Sequence, residues 1–309
     1  MQVIEPREVP LGGLRALTVR RTLPHRDRSF IGAWCFVDHY GPTAVCADGS
    51  GRMDVAPHPH TGLQTVSWLF QGEIEHRDSG GFHAVVRPGE VNLMTAGRGV
   101  AHSEVSTAET AVLHGVQLWV ALPEAARHTT RTFEHNAPPA VLLPDQAGQA
   151  FVFLGDLAQV SSSPVQTFTP LLGAQLDLVA GADVTLRVDP SFEHGVLLDD
   201  GEVSVDGAAL APGELAYRDA SSAELRLSSA SGARILLLGG PPFDEEIVMW
   251  WNFVGRSHEE IVRFREEWEA GSETFGAVEG YVGDRLCIPA PALPAVRLRP
   301  RGRRGRASA

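Results

Sequence analysis

The sequence predicts an all-β protein of two barrels of one kind, with one short helix near its C-terminal end. Three observations predict it. Short runs of β-branched and aromatic residues alternate with turn signals along a chain of 309 residues that holds 32 Gly and 21 Pro. "GEIEHRD" at 72–78 and "RPGEVNLM" at 87–94 recur as "GEVSVDG" at 201–207 and "APGELAYRD" at 211–219. A Gly-Glu turn before one strand and a Pro-Gly-Glu turn before the next thus appear twice, which implies a duplicated barrel. One stretch, "SHEEIVRFREEWEAG" at 257–271, has helical spacing instead.

In the first half, His58 and His60 precede "LQTVSWLF", a β-rich run closed by Gly72. Pro88 and Gly89 then open "EVNLM", and the glycines of "TAGRG" suit a tight bend that brings His102 and Glu104 back over the sheet. In an extended chain, residues two apart share a face, so each pair aims one way and four ligands can converge. Three His and one Glu are nitrogen and oxygen donors suited to a first-row divalent metal, and such a set leaves positions open for other ligands. Gln117, two residues before Trp119, is either a donor to a ligand imidazole or an ordinary strand polar group.

The Pro-rich "EHNAPPAVLLPD" at 134–145 reads as the linker. Beyond it, near the places that match the first pairs, stand His194 alone and "LLDD", so the second barrel is expected to be metal-free. The adjacent Trp250 and Trp251 are expected in an interdomain core rather than against an aromatic substrate. The helix begins with Ser257 and Glu260 as a capping box, buries Ile261, Phe264 and Trp268, and ends at Gly271. His258 and Glu260 repeat the His-x-Glu spacing, but on a helix residues two apart point in nearly opposite directions and cannot share an ion.

The formal charge is −12, and setting aside the six Arg between 297 and 306 leaves the rest at −18. Such a body repels nucleic-acid phosphates and anionic lipid, so neither is an expected partner. The end, "RLRPRGRRGRASA", reads as a solvated, disordered basic tail. Cys35, Cys46 and Cys287 form no CxxC, which points to free thiols in a reducing compartment. With no apolar signal core and no run long enough to span a bilayer, the expected location is cytoplasmic. The expected division is 1–138 for the metal-binding domain, 139–292 for a second domain carrying the helix near 258–270, and 293–309 for the tail.

The chain resembles the pirin family of two-domain bicupin proteins. The resemblance lies in "FVDHYGP" at 36–42, "HPHTGLQTVSWLFQGEIEHRDS" at 58–79, "MTAGRGVAHSE" at 94–104, "HGVQLWVALP" at 114–123 and "EEIVMWWNFVGRSHEEI" at 245–261. It implies two cupin (double-stranded β-helix, jelly-roll-like) barrels and one mononuclear divalent metal, Fe(II) first, with Mn, Co, Ni or Zn as substitutes. The ligands would be His58, His60, His102 and Glu104. It also implies a quercetin 2,3-dioxygenase-like activity, in which the central ring of a flavonol is opened with O2 and carbon monoxide released, with Glu104 as general base. The alternative it carries is a non-enzymatic iron-binding redox sensor acting through a protein partner. Thr61, Gln64 and Ala121 depart from the family's common Arg, Glu and Asn, and none of them is a ligand.

Overall fold

The computed structural model describes residues 1–11, 17–46, 48–283 and 285–303. Among these the regular structure is almost all strand, with one α-helix, His258–Glu269, and one 3-10 turn, Pro144–Gln146.

The duplication is visible in the order of the strands. In the first barrel a four-stranded sheet runs Asp54–His60, Val100–Ser106, Ile74–Asp78, His83–Val86. Its facing sheet centres on Val91–Thr95, Leu63–Gln71, Val112–Ala121 and Trp34–Ala44, in that order. The second barrel repeats both. Its smaller sheet runs Ala182–Arg187, Glu224–Ser229, Val203–Val205, Ala208–Leu210, and its larger one centres on Leu215–Arg218, Glu193–Gly201, Ala233–Gly240 and Leu172–Leu178. The repeated turns of the sequence therefore open equivalent strands.

The two ends of the chain each leave the half in which they begin. Gln2–Ile4 pairs with Leu215–Arg218 of the second barrel, the edge that Thr132–Asn136 occupies in the first. The hairpin Val248–Trp250 and Phe253–Gly255 and the helix lie against the first barrel, where Phe253 bridges to Thr61 and Val254 N–H donates to the Thr61 carbonyl at 3.1 Å. Ser257 caps the helix by accepting from Glu260 N–H, and Ile261 and Phe264 are its buried face. His258 Nδ1 accepts from Leu298 N–H at 3.2 Å, so this His is used structurally.

The described part of the basic end is not a free tail, which corrects the expectation for 293–303. Leu293 and Leu298 pack against the cluster of Phe253, Phe264 and Phe275. Arg301 exchanges backbone hydrogen bonds with Ile247, and Arg303 reaches the wholly buried Glu193 carboxylate at 2.6 Å. A buried carboxylate needs cations and donors, and here Tyr217 Oη and Gly32 N–H supply the remaining hydrogen bonds. The expectation for 304–309 lies outside the described residues.

One apolar cluster runs through both barrels, joining Trp34, Trp68 and Val116 to Phe153, Leu197 and Leu236. The Trp68 and Phe153 rings stack at 4.7 Å, and the two indole N–H groups find partners across the seam: Trp34 on Gly239 O and Trp68 on Gln175 Oε1. The backbones also touch. Gly32, at φ +51°, has room only because it lacks a Cβ, which would sit 2.6 Å from Gly240 Cα. No helix among the described residues is long and apolar enough to cross a membrane.

Candidate metal centre

The small sheet of the first barrel brings the two predicted pairs together. Strand Val100–Ser106 lies between Asp54–His60 and Ile74–Asp78 and sets His102 opposite His58. A bulge between His102 and Glu104 then shifts the register, placing Glu104 across from Val55 on one side and His76 on the other. The bend that starts this strand depends on Gly97, at φ +55°, where a Cβ would meet Thr129 O at 2.0 Å. The ligand atoms of His58, His60 and His102 lie within 4.8 Å of one another, and so do those of His76, His102 and Glu104. All five side chains are buried.

The hydrogen bonds decide which nitrogens carry protons. His58 Nδ1 is 3.0 Å from Ala56 O and His60 Nδ1 is 3.1 Å from Asn252 O, and a carbonyl can only accept, so both Nδ1 atoms are protonated. His76 Nε2 faces Asp78 Oδ2 at 3.2 Å, which leaves its Nδ1 as an acceptor for His102 Nδ1–H at 3.4 Å. This leaves the Nε2 lone pairs of all three ligand candidates bare. His60 and His102 hold theirs 3.0 Å apart. Burial pushes the imidazole of His58 down to about 4 and those of His60 and His102 well below the usual range, so all three are neutral at pH 7. Facing lone pairs in a buried site repel one another, and a cation relieves that repulsion. The donor set therefore fits a divalent metal of the borderline class.

Glu104 completes the group. Burial raises its carboxyl pKa, with His76 and Ser67 acting against that rise. Ser67 Oγ lies 3.3 Å from Glu104 Oε1 and 3.0 Å from Gln117 Oε1. Gln117 is thus tied to the carboxylate through Ser67 rather than to an imidazole. The site opens into a cavity of about 390 Å³ whose walls include Phe36, Trp119, Trp251 and Ile288, with Arg21 alongside. Phe36 and Trp119 stack in parallel at 4.0 Å, and the Arg21 guanidinium lies over Phe36 at 4.2 Å while pairing with Asp38.

Residues 16–120 match the Pirin family and residues 173–276 match the Pirin C-terminal cupin domain. The chain belongs to the pirin family. A Pseudomonas aeruginosa protein named "Putative quercetin 2,3-dioxygenase" is 43% identical over 94% of this chain and 90% of its own length. A pirin-like protein of Caulobacter vibrioides is 34% identical over 87% of this chain and 93% of its own. The crystal structure of a quercetin 2,3-dioxygenase from Acinetobacter baumannii superposes with a TM-score of 0.89 at 36% identity, covering 99% of this chain and 98% of that one. Both barrels are therefore cupins, as the resemblance implied.

Within this pirin fold, the departures Thr61, Gln64 and Ala121 do not line the cavity. Gln64 is buried on Thr95, and Thr61 faces Val254 O. Sequence reading missed His76, although the alternation in "IEHRD" holds the signal: Ile74, His76 and Asp78 are the buried positions of that strand. It also put both tryptophans in a core. Trp250 packs beside Phe253 and does not line the cavity, whereas Trp251 does. The third correction concerns His194. In the second cupin the strands equivalent to Asp54–His60 and Val100–Ser106 carry Val184, Leu186, Leu225 and Leu227 inward, all in the apolar core. His194 sits instead on the strand equivalent to Leu63–Gln71.

Proposed function

We propose that this pirin is a metal-dependent dioxygenase that opens the central ring of a flavonol such as quercetin with O2 and releases carbon monoxide. The observation that carries the reading is three neutral imidazoles presenting bare Nε2 atoms, with a buried carboxylate beside them, at the end of an aromatic-walled cavity. His58, His60, His102 and Glu104 would hold one divalent ion of the Fe(II) class. When bound, such an ion supplies Lewis-acid charge stabilisation and access to dioxygen chemistry.

The chain's own side chains do the rest. Phe36 and Trp119, stacked on each other, give the cavity a rigid apolar wall that favours an aromatic molecule and excludes water around it. Glu104, kept basic by burial, accepts the proton of the substrate hydroxyl, and Ser67 holds that carboxylate in place. The names of the relatives support this reaction class and its substrates, a flavonol and O2. The test is incubation of the metal-loaded protein with quercetin while O2 uptake, loss of flavonol absorbance and carbon monoxide are followed together. One O2 consumed and one CO formed per flavonol is the expected result. Metal-loaded protein that consumes no O2 with any flavonol overturns the proposal.

A further inference from the structure

The two-residue turn Trp251–Asn252, which joins Val248–Trp250 to Phe253–Gly255, reaches the metal centre from outside the first cupin. Asn252 gives its carbonyl to His60 Nδ1 at 3.1 Å, so the turn is registered against a ligand candidate. The residue before it is held at φ +53°, in the left-handed region that favours glycine. A bulky aromatic placed there costs backbone strain, yet the chain keeps a Trp in this position. Its side chain is half-buried and lines the cavity, and the fully buried Phe253 backs it edge-on at 5.3 Å and 76°. Phe253 is itself pinned beside His60 through its bridge to Thr61. A rigid aromatic face, fixed relative to a metal ligand, is what a flat substrate needs for alignment.

We infer that Trp251 is a specificity-determining residue of the cavity, stacking on the ring system of a planar polyphenol and selecting it over puckered analogues. This rests on the dioxygenase reading, because it names what that same site recognises. Stacking rewards coplanarity, and Phe36 and Trp119 are already committed to each other and to Arg21, so Trp251 offers the cavity a ring face that a saturated central ring cannot meet evenly. The companion Trp250 takes no part, since it does not line the cavity.

The test uses the full chain as wild type, Trp251→Gly and Trp251→Phe. Glycine removes the ring while suiting the φ of the turn, so this variant should fold; its thermal midpoint and metal content are measured first. Binding of quercetin and of its 2,3-dihydro analogue, whose central ring is puckered, is then measured without O2 by equilibrium dialysis, with and without metal. We expect Trp251→Gly to weaken quercetin binding about tenfold or more and to erase most of the preference for the planar compound. Trp251→Phe should restore most of both, and KM should move more than kcat in turnover assays. A merely structural role would not change the planar-to-puckered ratio. If wild type binds quercetin and Trp251→Gly binds both compounds as wild type does, the assignment of Trp251 is overturned and the dioxygenase reading stands. Wild type that binds no flavonol overturns both.

Discussion

His60 and His102 face each other Nε2 to Nε2 at 3.0 Å, with no proton available to lie between them. His60 spends its proton on Asn252 O, and His102 spends its own on His76, which is oriented by Asp78. Each imidazole is thus fixed from behind by a different segment, and the bare, facing lone pairs suit a cation.

One divalent ion per chain is therefore expected by elemental analysis, and His58→Ala combined with His60→Ala should abolish its binding. At a hundredfold excess over Kd the ion should stabilise the fold by about 3 kcal/mol, read as a rise in thermal midpoint. Asp78→Asn keeps the side chain's size but weakens its hold on His76, and metal affinity should fall about tenfold or more, as outer partners of metal ligands typically contribute. Two ions per chain, or unchanged affinity in Asp78→Asn, would contradict this account.

His194 offers a pH prediction in the second cupin. Both its ring nitrogens are buried without a partner, and burial first, then Arg218, lowers it to about 4. The unfolded state takes up a proton below about 6.5 while the folded state resists until about 4, so stability is lost as pH falls through that window. The contribution reaches about 3 kcal/mol near pH 4, at 1.4 kcal/mol per unit. His194→Leu should flatten that stretch of the stability–pH curve in urea unfolding and leave bound metal unchanged. A variant as acid-sensitive as wild type, or one that loses its metal, would refute the assignment.

Asp199 ties the two cupins together across their seam. Its Oδ1 accepts from His39 and His114 of the first cupin, each at 2.6 Å, and its Oδ2 accepts from Arg234. Burial opposes the charge on Asp199, but the hydrogen bonds from His114 and His39 outweigh it and hold the carboxyl below its usual range. Asp199→Ala leaves two buried imidazole N–H groups and a guanidinium without their acceptor, which should cost about 3 kcal/mol. The measurement is the urea midpoint at pH 7, with metal content expected to stay at the wild-type level. A loss below about 0.5 kcal/mol, the range of an ordinary surface change, would mean the seam does not depend on it.

The strands and the convergence of the two pairs were legible because period-two spacing is a local property: for His58, His60, His102 and Glu104 to come together took only an extended chain and a glycine bend. The duplicated turns likewise carried the second cupin. What escaped were contacts set by long-range pairing. Residues 2–4 complete the second cupin's edge, and nothing in "QVI" announces a partner more than two hundred residues away. Trp250 and Trp251 are indistinguishable in sequence, and only the turn that begins at Trp251 brings that ring to the cavity while Trp250, at the strand end, stays out of it. The tail looked free because its six arginines have no acid near them in sequence, whereas Glu193 meets Arg303 in space.

Substitution at Glu104 would separate the two roles proposed for it, holding a metal and accepting a proton. Changing it to Gln keeps the size and a ligating oxygen but removes the charge and nearly all the basicity, while His58, His60 and His102 retain their bare Nε2 atoms. Metal binding should therefore persist, weakened but measurable at saturating ion. Proton acceptance from a flavonol hydroxyl is lost, and positioned bases typically contribute about 10²- to 10⁴-fold in rate. Turnover of Glu104→Gln, measured as O2 uptake at full metal occupancy, should thus fall at least about tenfold. Ser67→Ala, which removes only the hydroxyl beside Glu104 Oε1, should fall less, because the carboxylate remains. If the fully loaded Gln variant matches wild type, the base is not Glu104, although the metal site would still stand on its three imidazoles. If the Gln variant instead binds no metal, its lost turnover reports the ligand role alone, and adding a small carboxylate such as acetate should restore metal binding before it restores rate.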